Sequence, residues 1–196
     1  MTLPTVKQSW LLIANTLMSI HFWYILILFL THGYTTLSNP NSPTCITELR
    51  PAVLTALTIS TLELLNSLTG LTKSKPHQVL LFASARMGIE LYIAPLLPCT
   101  AWQHLVTCCI WGLGDGMRFG CFALDAAFGV LGGGKELSPH WIKTVRYTVG
   151  PLLFPLGVGA EMAMVLTAAG EGRPILYGVS VLWLFWVFSL FKKLFK

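Results

Sequence analysis

"WLLIANTLMSIHFWYILILFL" runs from Trp10 to Leu30 without a single Asp, Glu, Lys or Arg. At 1.5 Å per residue, a helix of this length spans about 31 Å, the thickness of a bilayer's hydrocarbon core. The run is too long for the apolar region of a signal peptide, and no small-residue cleavage motif follows it. The sequence therefore predicts a first membrane-spanning helix.

The rest of the chain continues the pattern. Of its 196 residues 54% are hydrophobic and only 11% charged, whereas a soluble domain carries about 25% charge. Apolar segments cover roughly 9–31, 51–71, 77–98, 101–131, 145–169 and 174–191. Between them lie breakers: "SNPNSP" (38–43), "TKSKP" (72–76), Pro95 and Pro98, "GGGKELSP" (132–139) and "GEGRP" (170–174). The expected fold is an all-α membrane protein, a six-transmembrane-helix bundle forming one domain over residues 1–196.

Six spans put both ends on one side. Nine Lys and Arg residues (Lys7, Lys73, Lys75, Lys135, Lys143, Arg146, Lys192, Lys193 and Lys196) lie on that side, against Arg50 and Arg173 on the other. Cytosolic segments are the ones enriched in Lys and Arg, so both termini are expected in the cytosol. The net charge of +5 reports topology, not nucleic-acid binding, because no dense basic stripe exists.

Other motifs dissolve on inspection. The five cysteines contain no C-x-x-C pair, and the five histidines show no ligand spacing among themselves. "GVLGGGK" (129–135) lacks the Ser or Thr after Lys135 and a preceding strand, so it is a loop and not a phosphate cradle. No metal or redox cofactor is implied.

The chemistry lies in charges inside the spans: Glu63, Arg86, Glu90, Asp115, Arg118, Asp125 and Glu161. Each costs about 2.5–3.5 kcal/mol or more at the bilayer centre unless paired, so each is expected to face the bundle interior. Arg86 and Glu90 are four residues apart and Asp115 and Arg118 three apart, spacings that let each pair meet on one helix face. Glu161 has no basic residue within a turn of its own helix. A carboxylate held out of water is suited to trade a proton with a substrate. Before it, Pro151 and Pro155 are expected to bend the fifth span, and Gly157 and Gly159 to admit a neighbour closely.

"WIKTVRYTVGPLLFPLGVGAE" (141–161) resembles the signature of the very-long-chain (3R)-3-hydroxyacyl-CoA dehydratases, also called protein tyrosine phosphatase-like A proteins. That signature reads R-Y, six residues, Y-P-x-G-x-x-x-E; Arg146, Tyr147, Pro155, Gly157 and Glu161 match it. "WGLGDGMRFGCF" (111–122) keeps Trp111 and Arg118 of W-x-x-x-E-x-x-R-Y-x-F-Y. "LELLNSLTGLTKS" (62–74) and "LLFASAR" (80–86) keep Glu63, Gly70, Ser74 and Arg86 of two further motifs. The resemblance covers about residues 10–190.

The resemblance implies a multi-pass protein of the endoplasmic reticulum membrane that removes water from a 3-hydroxyacyl-CoA during fatty-acid elongation. It implies Glu161 as the catalytic base. It also implies a phenol two turns earlier, where this chain has Phe154. Asp115 replaces Glu, Phe119 and Phe122 replace Tyr, Asn66 replaces His and Phe82 replaces Gln. Tyr147, seven residues before Phe154, is the candidate replacement acid, with Tyr92 and Asp115 as others. Phe154, Asp115, Arg118, Arg86 and Arg146 are expected to line the pocket. Lys73, Lys75, Lys143 and Arg146 are expected at its cytosolic mouth, to meet the phosphates of an acyl-CoA. Expected partners are the lipid bilayer, an acyl-CoA or other lipophilic substrate, and other elongation or biosynthetic enzymes. The lost phenols leave two alternatives: an isomerase or cyclase of a lipophilic intermediate, and a non-catalytic paralogue.

Overall fold

The computed structural model describes residues 6–39, 49–97, 101–131 and 139–170, together with 173, 175–178, 180–182 and 185. Within them the chain is all helical. Helix α1 is Val6–Ser38, α2 is Arg50–Leu68, α3 is Pro76–Gly88, α4 is Trp102–Leu131 and α5 is His140–Gly170. The first five apolar segments coincide with these helices; the sixth is helical at 175–178, 180–182 and 185 and otherwise falls outside the described residues.

Among the described residues, four helical stretches are long and apolar enough to cross a membrane: Val6–Thr35, Arg50–Leu68, Pro76–Leu96 and His140–Gly170. Helix α4 is as long but carries Asp115, Arg118 and Asp125. It compensates by its position, packed chiefly between α1 and α5. Asp115 is buried there and Arg118 is paired with acidic groups of the bundle, as the cost of bare charge in hydrocarbon requires, while Asp125 is half-buried.

Sequence periodicity builds the α1–α4 contact. Ala14, Met18, Phe22, Ile25 and Phe29 recur every three or four residues and are buried. The opposite face of α1, with Ile13, Ile20, Tyr24 and Ile27, is exposed and equally apolar. A soluble helix would carry polar residues there; in a bilayer that face meets lipid. Helix α4 answers α1 with Gly112, Gly116 and Gly120. A Cβ on Gly112 would lie 2.9 Å from both Leu26 N and Phe22 O. The two backbones thus touch where a side chain would separate them. One turn on, Ser19 Oγ donates to Gly116 O at 2.9 Å.

Helix α3 does not end as a plain α-helix. It widens into a π-helical turn, Ile89–Ile93, then tightens into a 3₁₀ turn, Ala94–Leu96, at Pro95. A π turn inserts a residue into the helical register and redirects the side chains beside it. Helix α5, by contrast, stays one helix through Pro151 and Pro155.

Candidate functional site

A chain of ion pairs crosses the bundle at mid-depth. Glu63 on α2 takes a forked contact from Arg118 on α4: Nη1 to Oε1 at 3.2 Å and Nη2 to Oε2 at 2.8 Å. Arg118 Nε lies 3.2 Å from Asp115 Oδ1, one turn back on the same helix. Asp115 Oδ2 accepts from Arg86 Nη1 on α3. Arg86 Nε is 3.9 Å from Glu161 Oε1 on α5. Four helices are therefore tied by three carboxylates and two guanidiniums, one carboxylate in excess.

Glu161 stands at the end of that chain. Its residue is 5% exposed, yet Oε1 accepts a 2.8 Å hydrogen bond from Trp111 Nε1. Trp111 also lies under Arg86, whose guanidinium carbon is 5.3 Å from the ring centroid. Indole and guanidinium together fix the carboxylate while leaving it acceptor capacity.

Glu161 also borders a cleft of about 460 Å³ between the α3 end, α5 and the helical residues near 180. Ala85, Ile89, Tyr92, Met162 and Val165 form most of its wall, with Ser84 and Ser180 as small polar interruptions. An apolar wall with one carboxylate suits a lipophilic chain bearing one reactive centre.

The structure thus joins Arg86, Asp115, Arg118 and Glu161, four of the residues singled out in the sequence. Phe154 is half-buried beside them, packed edge to face on Phe82 with ring centroids 5.9 Å apart. Tyr147 on α5 and Tyr92 are both exposed, at 68% and 73%; of the two, Tyr92 lines the cleft that Glu161 borders. The side chain of Arg146 lies outside the described residues. The i,i+3 pair Asp115–Arg118 forms. The i,i+4 spacing of Arg86 and Glu90 is not used: Arg86 reaches Asp115 and Glu161, and Glu90, in the π turn, turns to other partners.

Those partners make a second polar layer. Glu90, fully buried, accepts from His104 Nε2 at 3.0 Å and lies 3.5 Å from Arg50 Nε. Arg50 Nη2 also donates to the Glu90 carbonyl at 2.9 Å. Arg50, read from the sequence as a loop cation, thus points inward. Residues His104, Cys108 and Trp111 were not among the sequence candidates. Trp111 was visible as a motif residue; the i,i+4 spacing of His104 and Cys108 was the available signal for the other two.

The family of protein tyrosine phosphatase-like proteins (PTPLA) matches residues 57–194, which contain Glu63, Arg86, Asp115, Arg118 and Glu161. Two relatives from Oryza sativa subsp. japonica are the very-long-chain (3R)-3-hydroxyacyl-CoA dehydratases PASTICCINO 2A and PASTICCINO 2B. They are 28% and 27% identical over 115 residues, 58% of this chain and 49% of each relative. The chain spans about half the length of these curated relatives. No solved structure matches it.

Proposed function

Because the chain belongs to the protein tyrosine phosphatase-like (PTPLA) family, we propose that it is a membrane hydro-lyase acting on a 3-hydroxyacyl thioester, with Glu161 as the base. The observation that carries this reading is the Glu161 carboxylate, oriented by Trp111 and Arg86 at the wall of an apolar cleft. Glu161 takes the C2 proton, the C2–H electron pair forms the C2=C3 bond, and the C3 hydroxyl departs as water after receiving a proton. Arg86 steadies the carboxylate in both protonation states through its second contact with Asp115.

The leaving oxygen needs a donor, and Phe154 has none. Tyr92 is the phenol that lines the same cleft as Glu161, and we assign it that role ahead of Tyr147, which is not among the lining residues. The acyl chain lies along the apolar wall. Lys73, Lys75, Lys143 and Arg146 meet the phosphates of coenzyme A at the cytosolic edge. Arg146 is about 22 Å from Glu161 along α5. The excess of Lys and Arg on the terminal side supports six spans with cytosolic ends; the relatives are very-long-chain 3-hydroxyacyl-CoA dehydratases by name, which supports a fatty-acid elongation setting, and the motif resemblance alone suggests the endoplasmic reticulum membrane. No metal or redox step enters the dehydration.

One observation favours a second reading. Phe82 and Phe154 occupy two positions where the resembled motifs carry polar groups, and they pack on each other. Loss of these polar groups fits an isomerase or cyclase that uses Glu161 to shift a proton on a lipophilic intermediate.

The test is turnover. Purified full-length protein in detergent or nanodiscs, given a (3R)-3-hydroxyacyl-CoA, should yield the trans-2-enoyl-CoA, and Glu161→Gln should abolish it. Absence of product from the wild type, or turnover indifferent to Glu161→Gln, overturns the dehydratase reading. Changed lipophilic metabolites in a deletion strain with no enoyl product would select the isomerase.

A further inference from the structure

We propose that Glu90, His104 and Cys108 supply three ligands of a zinc site, with a water in the fourth position, separate from the Glu161 cleft. One ligand atom from each lies within 4.8 Å of the others. All three residues are buried, at 0%, 1% and 0% exposure. His104 and Cys108 are one turn apart on α4, a spacing that aims both donors the same way. Glu90 enters from the π turn at the end of α3, whose altered register turns it away from Arg86.

Bonding capacity is left over at this point. Neither Glu90 Oε1 nor His104 Nδ1 makes a hydrogen bond in the described structure. Buried polar atoms are nearly always satisfied, and exceptions call for a reason. The two carboxylate oxygens of Glu90 face different ways: Oε1 is toward Arg50 at 3.5 Å, and Oε2 toward His104 at 3.0 Å. Oε2 and His104 Nε2 can take one metal between them in place of their hydrogen bond, while Arg50 steadies the far oxygen, the usual outer support of a ligating carboxylate.

The charges balance as well. A Zn²⁺ ion cancels the Glu90 carboxylate and a Cys108 thiolate, and Arg50, partly exposed, keeps its own solvation. Binding removes the Cys108 thiol proton to solvent. Imidazole, thiolate and carboxylate together select zinc over magnesium or calcium, which prefer oxygen alone. The ion would clamp the π turn to the start of α4 and hold α3 where Arg86 can reach Asp115 and Glu161.

Full-length protein in detergent, expressed with added Zn²⁺, should hold about one zinc per chain by elemental analysis. Exchange for Co²⁺ should give a thiolate-to-cobalt charge-transfer band and intense tetrahedral visible bands. Both should vanish in Cys108→Ser and weaken in His104→Gln, while Cys121→Ser, a buried α4 cysteine outside the trio, leaves them intact. Chelation should lower the melting temperature of the wild type, a readout that needs no variant to fold. Zinc far below one per chain, a cobalt spectrum without a thiolate band, or a band that survives Cys108→Ser overturns the site.

Discussion

Phe82 on α3 and Phe154 on α5 meet edge to face, their ring centroids 5.9 Å apart. Restoring a phenol at position 154 therefore changes a ring that packs on an apolar neighbour. Phe154→Tyr should raise dehydratase turnover only modestly. Phe82→Gln with Phe154→Tyr should raise it by more than the product of the two single effects, since residues in contact couple. Steady-state kinetics on the four proteins checks this; strict independence of the two changes would contradict it.

Glu161→Gln keeps volume and an acceptor for Trp111 Nε1 but removes the base. The expected loss in kcat is about 10²-fold or more. The melting temperature should move little, because the 2.8 Å indole bond survives. A variant with normal kcat would remove Glu161 from the chemistry.

Arg86 is the cation shared by Asp115 and Glu161. Arg86→Met leaves the buried Glu161 without its cation and Asp115 with Arg118 alone, and the destabilisation should be about 3–5 kcal/mol. Asp115→Asn in that background should recover part of it. Denaturant unfolding in mixed micelles measures both, and a double variant no better than Arg86→Met would break the pairing argument.

Gly112 admits the α1 backbone at 2.9 Å from where its Cβ would stand. Neither Leu26 N nor Phe22 O can move without moving helix α1. Gly112→Ala should cost about 1–3 kcal/mol, whereas Gly159→Ala, with nothing within 4 Å, should cost nothing from overpacking. Comparing the two melting temperatures separates close approach from helix propensity.

Tyr92 and Tyr147 differ in surroundings, and the reaction should tell them apart. Tyr92→Phe should cut kcat by about 10²-fold, while Tyr147→Phe, outside the lining of the Glu161 cleft, should leave it close to wild type. The reverse order would move the proton donor to Tyr147.

Sequence alone determined the all-helical, membrane-embedded class, the places of five helices, and Glu161, Arg86, Asp115 and Arg118 as interior groups. Hydropathy and breakers act over short stretches of chain, so they survive without a structure, and the penalty on bare charge in lipid fixes which way such groups face. The i,i+3 pair Asp115–Arg118 was legible for the same local reason. The partners across helices were not. That Arg86 turns to Asp115 and Glu161 instead of Glu90 depends on the π turn at Ile89–Ile93, a backbone feature that hydrophobic periodicity does not encode. That Phe154 rests on Phe82, and that Glu90, His104 and Cys108 converge, depends on how deeply α3, α4 and α5 sit against one another. Tertiary packing decided those contacts, since residues far apart in sequence meet only where backbones can approach, as α1 and α4 do at Gly112.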